Sequence, residues 1–296
     1  MEHFTGIWPA LVTPLTGEER VNVAVARRLV DHLIDVGVGG FFVGGTTGEG
    51  VLLPLGERRQ IAETVVEQAN GRVPIIVHIG ALAAADAMAL AAHAQEIGAD
   101  GVASLPPFYY PVGFDGIRAY YEQLTRSCSL PVYIYHIPRF SGVPLVAEEL
   151  WALCQIPGVR GLKYSTFDIR VVEQLLAWSE GQLDVFSGPD QLLLPMLSAG
   201  VRAAIGMSYN VLAAHFVNIY DTFQPGDWDA ARKLQAQANR VIEVLLKHGG
   251  IPAVKATLRM LGFDCGVCRR PLARLNEGQV AALRADLEAV GFWQMV

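Results

Sequence analysis

Lysine is almost missing from this chain. Of 23 basic residues only four are lysines, Lys163, Lys233, Lys247 and Lys255, so a chemistry that needs an amine has few places to look. Charge is scarce in general: 18% of residues are charged against 52% hydrophobic, which excludes a disordered chain. The net charge of −6 leaves no broad basic face, and no nucleic-acid partner is expected. Cysteines number four, Cys128, Cys154, Cys265 and Cys268. The last two form one CxxC, but a second CxxC or a histidine pair is lacking, so no metal site is expected. A redox pair would open a helix after a strand; this one precedes Arg269-Arg270-Pro271, and packed, reduced thiols are the expectation. The opening Met-Glu-His-Phe-Thr-Gly lacks the basic and apolar regions of a leader. Mean hydropathy is positive, yet the most apolar stretch, 73–94, holds His78, Gly80 and Asp86 and reads as a strand and a helix rather than a bilayer span. A soluble cytoplasmic protein is expected, with no membrane partner.

No Pro/Gly/Ser-rich linker divides the chain. Short apolar runs alternate with amphipathic segments, the rhythm of βα units on a parallel sheet. Strands are predicted at Ile7–Leu15, Gly40–Gly44, Val73–Ile79, Gly101–Leu105, Val132–Ile137, Gly161–Ser165, Leu183–Ser187 and Ala203–Ile205. Helices are predicted at Val23–Val36, Arg58–Ala69 and Ala83–Ile97, then from about Phe114, Val146, Asp168, Leu192 and Val211. Eight such units predict a TIM (β/α)8 barrel over 1–224. Three more helices, Trp228–Lys247, Pro252–Leu261 and Glu277–Val290, form a predicted C-terminal helical region, 225–296, packed on the barrel.

Active sites in such barrels stand at the C-terminal ends of the strands. In the sixth strand, period-two alternation puts Gly161, Lys163 and Ser165 on one face, and the two small neighbours leave room for a lysine inside the barrel. Desolvation there lowers an amine's pKa and makes it a nucleophile able to form a Schiff base with a carbonyl; an ion-paired lysine snorkelling from a strand end is the plainer alternative. The fifth strand ends Val132-Tyr133-Ile134-Tyr135-His136-Ile137-Pro138, and Tyr135 is either a proton carrier or a core residue. Gly44-Gly45-Thr46-Thr47-Gly48-Glu49-Gly50 offers backbone N–H groups and two hydroxyls to a carboxylate, without P-loop or GxGxxG spacing. Pro106-Pro107-Phe108-Tyr109-Tyr110-Pro111 is a rigid aromatic loop suited to packing or a subunit contact.

Taken in order at successive strand ends, Gly-Thr-Thr-Gly-Glu, the Tyr-Tyr-Pro loop, Tyr135-x-x-Pro138 and Gly-Leu-Lys163 resemble one family over nearly the whole chain. It is that of N-acetylneuraminate lyase and dihydrodipicolinate synthase, the pyruvate-dependent class I aldolases. The resemblance implies that Lys163 attacks C2 of pyruvate or another 2-oxo acid. It further implies that Tyr135 relays protons, that Thr46 and Thr47 hold the pyruvate carboxylate, and that Thr46 also bonds the tyrosine. Tyr109 matches a tyrosine that reaches a neighbouring subunit's site, which implies a dimer-based homotetramer. The lysine is itself the electron sink, so no cofactor is implied; the partners are pyruvate and an aldehyde or 2-oxo acid.

The Phe108–Pro111 loop and the C-terminal segments resemble the N-acetylneuraminate lyase branch. Dihydrodipicolinate synthases usually carry Tyr-Asn-x-Pro-x-Arg-Thr-Gly after the fifth strand; here Phe140 takes the arginine's place and Arg139 precedes it. In the lyase branch a sugar tail is bound after strands seven and eight. Gly188 and Asp190 match that pattern, but Gln191 stands for an acidic residue, Met207 for a serine, and Ser165 for a threonine after the lysine. A smaller or less polar substrate than sialic acid, such as a 2-keto-3-deoxy acid, is expected. Dihydrodipicolinate synthesis, a Schiff-base dehydratase and a non-catalytic 2-oxo-acid-binding regulator are the alternatives.

Overall fold

The computed structural model describes residues 3–296. Eight strands alternate with helices: β1 Gly6–Pro9, β2 Phe41–Val43, β3 Ile75–His78, β4 Gly101–Ser104, β5 Val132–His136, β6 Val159–Tyr164, β7 Asp184–Ser187 and β8 Ala203–Gly206. All neighbours pair in parallel, in the order β1-β8-β7-β6-β5-β4-β3-β2. An Ala10–Phe42 bridge links the two ends of that order into a nearly closed TIM barrel.

The first predicted strand, Ile7–Leu15, is shorter than expected because its residues change partners. Ala10 N still donates to Gly206 O at the end of β8 (2.9 Å), whereas Leu11 N donates to Phe42 O of β2 (3.0 Å). The chain thus closes the barrel and leaves the ladder. The other strands lie within a few residues of expectation.

Alternation along the strands builds two packed layers. Inward-facing Trp8, Phe42, Ile76, Ala103, Tyr133, Tyr135, Phe186, Ala203 and Ile205 fill the barrel. Their outward neighbours, among them Val43, Ile75, Val77, Val102, Ile134, Leu162 and Val185, pack under the helices. Toward the strands' N-terminal ends, Phe4, Trp8, Tyr133 and Phe186 form an aromatic plug with ring centroids 5.0–6.2 Å apart.

The helices are α1 Val23–Val36, α2 Leu55–Ala69, α3 Ala84–Glu96, α4 Phe114–Ser127, α5 Pro138–Ser141, α6 Ala147–Cys154, α7 Ile169–Trp178, α8 Leu193–Ser198 and α9 Tyr209–Phe223. After them come α10 Trp228–Lys247, α11 Ile251–Met260 and α12 Glu277–Ala289. In α1 the buried Ala26, Leu29, Val30 and Leu33 recur at helical spacing; Asn22 caps its start and a left-handed Gly37 ends it. Asp227 caps α10, and an Asn276–Gln279 capping box starts α12. Among the described residues no helix is long and apolar enough to cross a membrane.

The single turn α5 is an element the periodicity did not predict: proline opens it and a left-handed Gly142 closes it. Arg139 and Phe140 therefore sit on a helical turn and not at a strand end, so successive side chains diverge by about 100° rather than reversing. Both are exposed, and the Arg139 guanidinium lies over the Phe140 ring, 5.7 Å from its centroid.

Candidate active site

Lys163 is in β6, in register with Tyr135 of β5 on one side and Phe186 of β7 on the other. Its side chain is inside the barrel and 4% exposed. The ammonium position is 4.3 Å from the Phe42 ring centroid and 4.4 Å from that of Tyr135. Two aromatic faces favour a cation, but burial disfavours it more strongly. Burial pulls the Lys163 amine down to about 7, with the Asp190 carboxylate acting in the opposite direction. Near neutral pH a substantial fraction is free amine, unlike an exposed lysine.

The Tyr135 hydroxyl and Thr46 Oγ1 are 3.2 Å apart, joining β5 to the loop after β2. Burial pushes the phenol up to about 12, against the smaller lowering effect of the Thr46 bond, so it stays protonated around neutrality. Behind it lies His78 of β3, edge-on to the Tyr135 ring with centroids 5.5 Å apart. Burial, then the Arg58 guanidinium, pulls His78 down to about 3. This neutral imidazole donates from Nδ1 to the Gly44 carbonyl at 3.0 Å.

The Thr46–Thr47 loop is tightly wound: Glu49 N donates to Thr46 O (3.0 Å) and Gly50 N to Gly45 O (3.1 Å). Thr46 is half-buried and Thr47 buried.

Past β6 and β7 the ladder continues for one bond each, Ser165 N to His136 O (2.9 Å) and Gly188 N to Tyr164 O (2.8 Å). Gly188 approaches Ser165 so closely that a Cβ there would overlap the hydroxyl. The Ser165 oxygen is buried without a hydrogen-bond partner among the described residues.

Asp190 opens a 3-10 turn over Asp190–Leu192. Its carboxylate accepts from Ser208 N (2.7 Å) and Ser208 Oγ (2.5 Å). Burial raises its pKa, opposed by these bonds and by Lys163. Gln235 of α10 supports this turn, donating to the Asp190 carbonyl at 3.2 Å and accepting from Leu194 N at 3.1 Å. Gln191, next to Asp190, and Met207, next to Ser208, are half-buried after β7 and β8.

The fold thus brings Lys163, Tyr135 and Thr46 together, and places Thr47, Ser165, Gly188, Asp190, Gln191 and Met207 in loops at the same end of the barrel. Tyr109 stands apart, 80% exposed in left-handed backbone (φ +83°), with its ring against Tyr110. Cys265 and Cys268 are buried free thiols that burial pushes up to about 12, the reverse of a reactive thiolate.

Sequence reasoning assigned no role to Phe42, His78, Glu49 or Lys255. Lys255 had a signal, the scarcity of lysine; His78 and Phe42 resembled ordinary strand residues.

The family model for the dihydrodipicolinate synthetase family matches residues 3–290. An N-acetylneuraminate lyase from Rhizobium meliloti (strain 1021) is 36% identical over 290 residues, 98% of this chain and 96% of the relative. One from Escherichia coli (strain K12 / DH10B) is 34% identical over 282 residues, 95% of both chains. The structure of Proteus mirabilis N-acetylneuraminate lyase superposes with a TM-score of 0.93 at 31% identity, covering 98% of this chain and 100% of that one. The chain belongs to the dihydrodipicolinate synthetase family and is an enzyme of it.

Proposed function

We infer that this enzyme is a Schiff-base-forming lyase, or aldolase in reverse, that breaks or makes a C–C bond between pyruvate and an aldehyde. One observation carries the reading: the buried Lys163 amine, lowered to about 7, beside the Tyr135–Thr46 hydroxyl pair. The free Lys163 amine adds to C2 of a 4-hydroxy-2-oxo acid, and loss of water leaves an iminium. Removal of the C4 hydroxyl proton then lets the C3–C4 electron pair flow into the iminium, releasing the aldehyde and leaving an enamine. Protonation at C3 and hydrolysis return pyruvate and Lys163. Tyr135, protonated around neutrality, hands on protons through its hydroxyl with Thr46 as neighbour. The hydroxyls and N–H groups of the Thr46–Thr47 loop hold the substrate carboxylate.

Several relatives are named N-acetylneuraminate lyase, and a 2-keto-3-deoxy acid is the proposed substrate class. Gln191 and Met207 favour one less polar than sialic acid. The reading includes an oligomer, a homotetramer, in which Tyr109 approaches a neighbour's site; its 80% exposure and left-handed backbone suit a residue ordered by a contact. A cytoplasmic location suits the four free cysteines.

Incubation with pyruvate and borohydride tests the chemistry. One reduced pyruvyl group per chain is expected on Lys163, and none in Lys163→Ala. An adduct on Lys233, Lys247 or Lys255 overturns the reading.

A further inference from the structure

Glu49 and Lys255 are the most deeply buried opposite charges in the described residues, with side chains 0% and 1% exposed, and the chemistry above uses neither. They form an ion pair between Glu49 Oε1 and Lys255 Nζ. Glu49 Oε2 accepts from Arg269 N at 2.6 Å, and Lys255 also donates to the Val267 carbonyl at 3.3 Å. The Arg269 side chain continues the chain of contacts, pairing with Glu57 of α2 at 2.5 Å and bonding the Glu19 carbonyl. Glu49 is two residues beyond Thr47, and its own N–H donates to Thr46 O.

The loop has little freedom left around this pair. Thr13 Oγ1 donates to Gly48 O (2.6 Å), His78 Nδ1 to Gly44 O (3.0 Å), and Gly50 is so close to the Gly44 carbonyl that no Cβ fits there. Glu49 itself is in left-handed backbone at φ +58°, a conformation a non-glycine residue adopts only when its surroundings impose it. A buried ion pair is a poor source of stability, because desolvation offsets its attraction. It is an effective source of position, since neither charge can move without leaving the other unpaired.

We propose that Lys255, acting through Glu49, is the positioning residue for the Thr46–Thr47 carboxylate cradle, so that the C-terminal helical region helps to bind the 2-oxo acid. This rests on the reading that the cradle holds the substrate carboxylate. Lys255 fixes Glu49, Glu49 fixes the turn that follows Thr47, and the turn aims the hydroxyls and N–H groups. Lys163 and the Tyr135 backbone are held by the barrel ladder, and only the Tyr135 hydroxyl touches the cradle, through Thr46.

The test is borohydride trapping of pyruvate on the full-length enzyme, read as half-saturating pyruvate and maximal trapping rate, with thermal unfolding alongside. Lys255→Met leaves Glu49 charged and without its counter-charge, with only the Arg269 N–H still bonded to it. It is expected to lower Tm and raise half-saturation roughly ten- to a hundredfold, while the maximal rate changes little. Lys255→Met combined with Glu49→Gln removes both charges and keeps an oxygen for Arg269 N. Tm should return toward that of the parent, but half-saturation should stay raised, because the tether is gone. Recovery of both Tm and half-saturation in the double variant would reduce the pair to a structural role and overturn the proposal, as would unchanged half-saturation in Lys255→Met. Thr47→Val separates the two levels: it should weaken pyruvate with Tm unchanged. If it does not, the carboxylate assignment fails and the proposal fails with it; if it does while the Lys255 variants bind normally, only the positioning role is lost.

Discussion

Lys163 and Tyr135 are cross-strand partners, opposite one another in the β5–β6 register, with the lysine nitrogen 4.4 Å from the centre of the tyrosine ring. Register alone brings the proposed nucleophile and the proposed proton carrier together, because partners in a ladder point the same way. The Phe42 and Tyr135 rings flank the amine inside the barrel, where burial desolvates it. That arrangement converts strand geometry into a depressed pKa, and it has measurable consequences.

The first is the pH profile of trapping. In the proposed mechanism only the free amine attacks C2, so the rate of cyanoborohydride trapping at fixed pyruvate should rise with pH and level off, with a midpoint near the Lys163 value of about 7. A midpoint in the ordinary lysine range, about 10, would show that the amine is not desolvated in the way its burial indicates.

Stability should respond in the same range. Between the folded value of about 7 and an unfolded value near 10.5, the unfolded chain binds the extra proton at Lys163. This residue therefore destabilises the fold at pH 7, and the effect fades as pH rises toward 10.5. Lys163→Met should unfold at higher temperature than the parent at pH 7, each unit of pKa depression being worth about 1.4 kcal/mol, and the gap should narrow by pH 10. A variant less stable than the parent at pH 7 would contradict this account.

Tyr135→Phe removes one hydroxyl and leaves the ring that packs on Phe42, His78 and the lysine. The fold should survive. Turnover should fall by about 10² to 10⁴-fold, the usual value of a positioned acid–base group. Near-normal kcat would remove Tyr135 from the mechanism.

What was legible in the sequence was mostly what obeys a period. The eight apolar runs gave the barrel, and alternation in β6 gave the inward lysine between small neighbours. The Ile7–Leu15 strand was overextended because its residues change hydrogen-bonding partner where the barrel closes, which no alternation records. The turn α5 was missed because four residues are too few to show helical periodicity. The Glu49–Lys255 pair joins residues more than two hundred positions apart, and only the unusual scarcity of lysine hinted that Lys255 mattered. His78 carried no signal, since a neutral histidine bonded to a carbonyl is indistinguishable in sequence from any strand residue.

Phe140, Gln191 and Met207 bear upon the second half of the proposed substrate. Where the dihydrodipicolinate synthases carry an arginine, this chain has an exposed Phe140 with the Arg139 guanidinium over its ring. Arg139 is thus occupied on a helical turn, about 100° from the direction of the missing side chain. Poor condensation of pyruvate with aspartate semialdehyde is the expected result. After β7 and β8, Asp190 is already bonded to Ser208, while Gln191 and Met207 offer an amide and a thioether where an acid and a hydroxyl are usual. Weak cleavage of N-acetylneuraminate should follow, because substrate hydroxyls left without partners weaken binding. Gln191→Glu with Met207→Ser should improve that cleavage, each well-formed hydrogen bond contributing about 1 kcal/mol, without altering the pH midpoint of pyruvate trapping. Efficient turnover of either compound by the parent enzyme, with kcat/KM of about 10⁴ M⁻¹s⁻¹ or more, would overturn the substrate assignment and leave the Lys163 chemistry standing.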